Sequence, residues 1–252
     1  MIKSTICILC ILLLIFEYDR GFGGRHYPIY QYYIRDFPLP IIGLYNTIIR
    51  ITNPSHTHKF DPNNFNSLKL IENSWKDIQK ESMYVYSIKD TVNVEDITNE
   101  HWKVFVLKWY DAPLEAETHC PITVSLIKQC PDIHAAMFTI LEPGGHIPPH
   151  KGPFTGCVRY HLGLKIPKDR DNCYIKVANE KFHWEEGKSF IFDDTYEHSV
   201  YNNTNEARMI LFIDIERQLY PPLKQINHHI CKQRFVGDFN KNINGFSEDL
   251  QS

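Results

Sequence analysis

The segment "PGGHIPPHKGPFTGCVRYHLGL", residues 143 to 164, sets His146, His150, Arg159 and His161 among glycines and prolines and is too broken to be one helix. Farther on, "YEHSV" carries His198, and Arg208 opens the apolar run "RMILFIDI". Imidazole suits Fe(II), open coordination positions admit a cosubstrate and dioxygen, and a guanidinium fork matches a dicarboxylate. The usual pattern for such iron sites is His-x-Asp or His-x-Glu followed by a distant His. Here His150 and His198 are the candidate imidazoles, and Gly152 occupies the carboxylate position. By spacing alone, the reading in which these are turn histidines with no metal stands beside it.

The elements that would position these residues are β-strands. Side chains alternate along a strand, so in "VRYHLGL" Arg159 and His161 point one way while Val158, Tyr160 and Leu162 point the other. If the pair faces an interior, a buried arginine needs an anionic partner to offset its desolvation. Beyond Asp132, β-branched and aromatic runs alternate with PGG, KGP, ANE, EEGK and NNTNE turns. Six to eight strands at this spacing predict a sandwich, jelly roll or barrel. Before them, Leu68, Leu70, Ile71, Trp75 and Ile78 predict a helix over 67–82, "HWKVFVLKWY" a strand, and "PITVSLIKQC" a short helix with Pro121 near its start. Those helices would cover one face of the sheet.

A chain of 252 residues, 43% of them apolar, can bury a full core, and a net charge of −3 gives no reason to expect nucleic acid. The seven cysteines, two of them in the N-terminal apolar run, form neither a disulfide framework nor a thiolate zinc pattern. Asn202-Asn203-Thr204 is a formal glycosylation sequon. The run from Ile6 to Phe16 is too short to span a bilayer comfortably and fits a secretory signal or a signal-anchor, with a buried helix as the alternative. The organisation expected is therefore a signal-anchor or signal peptide over 1–26, a membrane-proximal aromatic and Pro-rich segment over 27–58, a β domain over 59–220, and a polar tail over 221–252. The chain is expected at a membrane, single-pass or anchored, with the secretory lumen or secretion as the alternative.

"LEPGGHIPPHKGPFTGCVRYHLGLKIP", with "WEEGKSFIFDDTYEHSVYN" and "ARMILFIDIER", resembles the aspartyl/asparaginyl β-hydroxylase family over about residues 59–218. That family includes the animal enzyme acting on epidermal-growth-factor-like domains and bacterial lipid A fatty-acyl 2-hydroxylases. The resemblance implies a mainly β fold with flanking helices around a double-stranded β-helix (jelly-roll, cupin-like) core. It further implies a dioxygenase that uses Fe(II), 2-oxoglutarate and O2 to hydroxylate an unactivated C–H, releasing succinate and CO2. The family also lacks the carboxylate ligand, in keeping with Gly152. On this resemblance His150 and His198 bind the iron, and Arg208 pairs with the distal carboxylate of 2-oxoglutarate, helped by Thr139, whose alternative is a core strand hydroxyl. His161 and Arg159 sit by the cosubstrate's other end or the substrate. His146 and His183 are expected to be scaffold, Asp193 and Asp194 to shape the turn before His198, and Trp184 and Phe192 to be core. The substrate is a protein Asp or Asn residue or a lipid acyl chain. Cys157 stands where the animal enzyme has a substrate-facing basic residue, and the motifs lean to the lipid branch. Two other classes remain open: a barrel that binds a ligand at the membrane without turnover, and a structural membrane-associated protein.

Overall fold

Two helices lead the chain, α1 (Ile2–Gly21) and α2 (Leu39–Thr52), followed by a short strand β1 (Lys59–Phe60). Then come α3 (Leu68–Asn73), α4 (Trp75–Ser87), β2 (Glu95–Thr98), β3 (Trp102–Trp109), α5 (Ala116–His119) and α6 (Pro121–Lys128). Eight strands follow: β4 (Ile133–Leu141), β5 (His146–His150), β6 (Cys157–Lys165), β7 (Cys173–Val177), β8 (Glu180–His183), β9 (Ser189–Phe192), β10 (His198–Asn202) and β11 (Arg208–Glu216). A last helix, α7 (Leu223–Arg234), closes the structure. This computed structural model describes residues 2–24, 26, 39–53, 57–89, 95–98, 101–109 and 116–234. Much of the aromatic segment (27–38) and the end of the expected polar tail (235–252) lie outside them.

The strands form two antiparallel sheets, one in the order β1-β9-β6-β11-β4-β3-β2 and one in the order β5-β10-β7-β8. From β4 to β11 the chain passes back and forth between them, so β4, β6, β9 and β11 face β5, β7, β8 and β10. This is the double-stranded β-helix, with β2 and β3 extending one edge of the larger sheet and β1 the other. The alternation expected for β6 holds. Val158, Tyr160, Leu162 and Leu164 pack in the core beneath the helices, together with Met209, Leu211, Ile213 and Ile215 of β11. Opposite them, Trp184, Phe192, Ile210, Val200, Ile175 and Val177 fill the space between the sheets. The larger sheet thus separates two cores, one beneath the helices and one between the sheets.

The helices cover the outer face as expected, with two differences of detail. The helix read over 67–82 breaks at Ser74, which ends α3 and starts α4 with a non-helical backbone (φ −96°, ψ 11°). Leu68, Ile71, Ile78 and Val85 face the core across that break, whereas Leu70 is turned outward. The stretch 223–234, expected within a polar tail, is the helix α7, with Asn227 and Cys231 buried.

The N-terminal helices are joined to the barrel. Asp19 pairs with Arg50 of α2, and both are buried. Asn46 of α2 donates to Asp19 Oδ1 and to Pro153 O, and accepts from the Thr155 backbone N–H. Lys151 Nζ, itself buried, donates to Arg20 O at 2.9 Å and Phe22 O at 2.6 Å, closing the carbonyl end of α1. Gly23 lies at φ +80°, against the backbone of Thr195 and Tyr196, where a Cβ would meet Thr195 O at 2.2 Å. Its carbonyl accepts from Glu197 N–H. Beyond this junction Ile6, Ile8, Leu9, Ile11, Leu13 and Leu14 of α1 are exposed. Among the described residues no helix is long and apolar enough to cross a membrane.

None of the seven cysteines is joined in a disulfide. The sequon has a structural use instead. Asn202 is fully buried, donates to Leu141 O, Glu142 O and Glu206 O, and accepts from Thr204 Oγ1. It ties the β4–β5 turn to the β10–β11 hairpin and offers no accessible amide in the folded chain.

Candidate active site

His150 ends β5, and its position depends on a fault in the strand. His198 pairs with His150 and Val200 with Ile147, so two steps on β10 match three on β5. The extra residue falls at Pro148-Pro149, where proline cannot donate to a ladder. Simple alternation from buried Ile147 would send His150 outward; the bulge turns it in. His198, first residue of β10, faces it, and the two imidazole centroids stand 4.1 Å apart.

The hydrogen bonds set both tautomers. His150 Nδ1 lies 2.8 Å from Pro148 O and His198 Nδ1 2.9 Å from Tyr196 O. A carbonyl oxygen only accepts, so each Nδ1 carries the proton and each Nε2 is the lone-pair nitrogen. Burial, reinforced by His150, holds His198 well below the ordinary imidazole range, so it stays neutral. Two imidazoles side by side, each oriented by a carbonyl, have the arrangement that a pair of metal ligands needs.

Gly152 leaves no room for a third ligand of its own. A Cβ there would lie 2.1 Å from Asp194 Oδ2, so the Asp194 carboxylate occupies the space that a side chain at 152 would need. Arg159 holds it, with Nη2 2.9 Å from Asp194 Oδ2 and Nε 3.0 Å from Asp214 Oδ1. Burial pushes the Asp194 carboxyl up to about 6, against the pull of Arg159. Asp193, in contrast, shapes the turn as expected. It accepts from the Thr195 backbone and hydroxyl and pairs with Arg217.

From His198 the interior leads along a row of rings to Arg208. Phe192 lies between His198 (5.4 Å) and His161 (5.1 Å), and Trp184 Nε1 donates to His161 Nδ1 at 3.4 Å. With Nδ1 accepting, the proton of neutral His161 is on Nε2, and no described residue accepts it although it is buried. Burial, with Arg208 and Arg159 nearby, keeps this ring neutral. Arg208 is 2% exposed. It lies over the Trp184 ring at 4.8 Å and donates from Nη1 to Thr139 Oγ1 at 3.2 Å. Its Nε and Nη2, both buried, have no acceptor among the described residues, and burial lowers its pKa to about 10.

His150, His198, His161, Arg208 and Thr139 are therefore brought into one inter-sheet interior. Arg159, expected by the cosubstrate's other end or the substrate, lies beside it with its charge met by two carboxylates, Asp194 and Asp214. His146 stacks on Tyr201 outside (centroids 4.4 Å), and exposed His183 bonds Arg170 O, so both are scaffold. Trp184 and Phe192 are core, as expected, and they also line the site. Cys157 packs against Cys231 of α7, with their sulfurs 3.7 Å apart. Sequence reasoning missed Lys151. The one signal it offered was a lysine directly after a candidate ligand, and its partners lie about 130 residues away in α1.

The sequence profile of the aspartyl/asparaginyl β-hydroxylase family matches residues 72–218, more than half of the chain, including every residue of this interior. The chain belongs to the aspartyl/asparaginyl β-hydroxylase family. Among characterised relatives of this hydroxylase family, the ornithine lipid ester-linked acyl 2-hydroxylase of Rhizobium tropici is 41% identical over 131 residues, covering 52% of this chain and 47% of that protein. The human aspartyl/asparaginyl β-hydroxylase is 34% identical over 160 residues, 59% of this chain and 21% of that protein. The chain thus spans about half or less of the length of the relatives it matches.

Proposed function

We propose that this chain is an Fe(II)- and 2-oxoglutarate-dependent dioxygenase that hydroxylates an unactivated C–H of a lipid acyl chain at a membrane surface. The observation that carries the reading is Arg208, a buried guanidinium with two donors that meet no acceptor among the described residues, on the same interior as two imidazoles whose ring centroids stand 4.1 Å apart. An uncompensated buried cation is costly. A dicarboxylate bound between that guanidinium and a metal on the imidazoles removes the cost at both ends.

The residues fit the missing groups. His150 and His198 would hold the iron through Nε2, and residue 152 would supply no ligand, because the Asp194 carboxylate fills the space that a side chain there would need. Arg208 would take the distal carboxylate through Nε and Nη2 while Thr139 Oγ1 holds Nη1 in place. His161 Nε2–H would donate to an oxygen of the same molecule. The ring wall of Trp184, Phe190, Phe192 and Phe212 around His161 keeps the interior dry. Iron, 2-oxoglutarate and dioxygen, when bound, supply the oxidising equivalent for C–H hydroxylation, with succinate and CO2 as coproducts. Arg159, fixed by Asp194 and Asp214, positions the edge of the interior near the iron rather than taking the cosubstrate.

For the substrate, three observations favour an acyl chain over a peptide. The exposed apolar side of α1 is attached through Gly23, Phe22 and Lys151 to the loops that carry His150 and His198, so an interface that takes up α1 also lies beside the iron. Cys157 is packed on Cys231, so that position offers no cation to an aspartyl carboxylate. The Rhizobium relative named for an acyl 2-hydroxylase is also more similar to this chain than the human protein is. The test is succinate release from 2-oxoglutarate by the purified chain with Fe(II), offered phospholipid and aminolipid vesicles or aspartyl-containing peptides. Succinate coupled to an acyl chain gaining one oxygen supports the reading. Coupling to the peptides alone would overturn the substrate class, and absence of 2-oxoglutarate binding would favour the non-catalytic barrel.

A further inference from the structure

Three side chains outside that interior also converge. His134 lies in β4, Glu216 ends β11 and His228 lies on α7. His134 Nε2 and His228 Nδ1 each lie 2.6 Å from Glu216 Oε1, and the three donor atoms are within 4.8 Å of one another. None belongs to the His150–His198 pair.

The fold prepares this meeting. Ala135 pairs with Asp214 and Ile133 with Ile215, so His134 is the extra residue of a bulge between β4 and β11, a device that re-aims a side chain. His228 reaches it because α7 is pinned on both sides of that residue. Asn227 Nδ2 donates to Gly156 O at 2.9 Å and its Oδ1 accepts from Tyr45. Cys231, three residues on and fully buried, lies against Cys157 and hydrogen-bonds His134. His134 and Glu216 are nearly buried, but His228 is 43% exposed, so the cluster opens to solvent on one side.

We propose that His134, Glu216 and His228 form a second metal site, for a zinc-class divalent cation, that clasps α7 to β4 and β11. Two imidazoles and one carboxylate are a zinc donor set, and the fourth tetrahedral position falls on the side where His228 meets solvent. With metal–ligand bonds of about 2.0–2.1 Å, tetrahedral ligands stand about 3.3 Å apart, so each His–Glu separation must open by less than ~1 Å. In the closed state both imidazoles donate a proton to one carboxylate oxygen. To bind the cation each of those ring nitrogens gives up its proton, to solvent from a charged imidazole or to the other ring nitrogen of a neutral one.

The site is separable from the iron centre by experiment on the full chain. A His150→Ala/His198→Ala variant, folded by circular dichroism and loaded with zinc alone, retains about one equivalent of zinc after gel filtration and gains thermal stability from it. Adding His228→Ala, at a half-exposed position where truncation opens no core cavity, removes that equivalent and the stabilisation. Adding Glu216→Gln instead, which keeps the shape and loses the charge, does the same. A folded double variant that binds no zinc overturns the proposal, as does zinc retained after both further substitutions. Neither outcome bears on the role given to His150 and His198, which is read from iron binding in the wild-type chain.

Discussion

Replacing Arg208 by methionine should stabilise the unliganded protein and abolish its response to 2-oxoglutarate. The native side chain is 2% exposed, with two N–H donors lacking acceptors among the described residues. Its protein contacts are a hydrogen bond to Thr139 Oγ1 and the face of Trp184. Losing them costs about 1–3 kcal/mol together. Against this, a buried charge without a counter-ion carries several kcal/mol of desolvation, and replacing such groups by apolar ones of similar volume is neutral or stabilising by about 1–4 kcal/mol. The balance favours the variant by roughly 1–2 kcal/mol, or a Tm higher by about 2–8 °C for a chain of this size. The native chain should regain this difference when 2-oxoglutarate is added, because the ligand supplies the anion.

Arg208→Lys completes the argument. It keeps the charge and loses the fork, which removes one or two charge-assisted hydrogen bonds worth about 1.5–3 kcal/mol. The dissociation constant for 2-oxoglutarate, measured by calorimetry under anaerobic conditions with Fe(II), should rise about 10- to 150-fold. If the methionine variant is instead less stable by more than about 2 kcal/mol and binds 2-oxoglutarate normally, Arg208 is a structural cation and the reasoning fails.

Further expectations concern the metal side and the N-terminal junction. His150→Ala or His198→Ala leaves one protein ligand, so iron affinity measured by competition with a chelator should fall at least about 100-fold while the fold persists. Gly152→Ala must displace the Asp194 carboxylate from Arg159, costing about 1–3 kcal/mol of stability by denaturant titration; an unchanged midpoint would show that Asp194 yields freely. Burial lowers Lys151 from 10.5 to about 7, with Asp19 opposing. Its folded pKa is depressed, so its contribution is full above about 10.5 and is lost as pH falls through 7. The native chain should therefore gain stability relative to Lys151→Met as pH rises across that window, and a difference independent of pH would mean that the ammonium stays charged.

Much of this was legible from alternation and turns. "VRYHLGL" places Arg159 and His161 on one face because period two needs no tertiary information, and the strands keep it. The same rule misplaces His150 when counted from Ile147, and only the bulge at Pro148-Pro149 restores it. A proline pair inside a strand is a visible sign of irregular pairing, but not of its direction. The desolvation argument made for Arg159, that a buried arginine needs an anion, is met within the chain, whereas Arg208 keeps two buried donors with no acceptor among the described residues. Arg159 finds Asp214 across β11 and Asp194 from the turn before β10, contacts that depend on sheet register. The junction of α1 with the barrel was illegible, because Lys151 and Arg20 are 131 positions apart and nothing in either local sequence pairs them. The helix break at Ser74 was hidden for the opposite reason: the apolar spacing continues across it.

The two arginines together give the interior a direction. Beside the imidazoles, one guanidinium faces two carboxylates, Asp194 and Asp214, so that side is neutral or negative depending on the Asp194 proton. Next to Trp184, Arg208 carries a positive charge with two buried donors that meet no acceptor among the described residues. A divalent cation is favoured at the first position and a carboxylate at the second, and in a low-dielectric interior neither preference is screened by salt. A molecule carrying a chelating keto acid at one end and a carboxylate at the other therefore has one favourable orientation. On the proposed reading, the reverse would give a bound iron a weaker chelate and Arg208 a bulkier, differently charged group. That polarity depends on Arg159 staying paired: releasing it by Asp214→Asn would put a second unsatisfied cation beside the metal, which opposes iron more than it helps any anion.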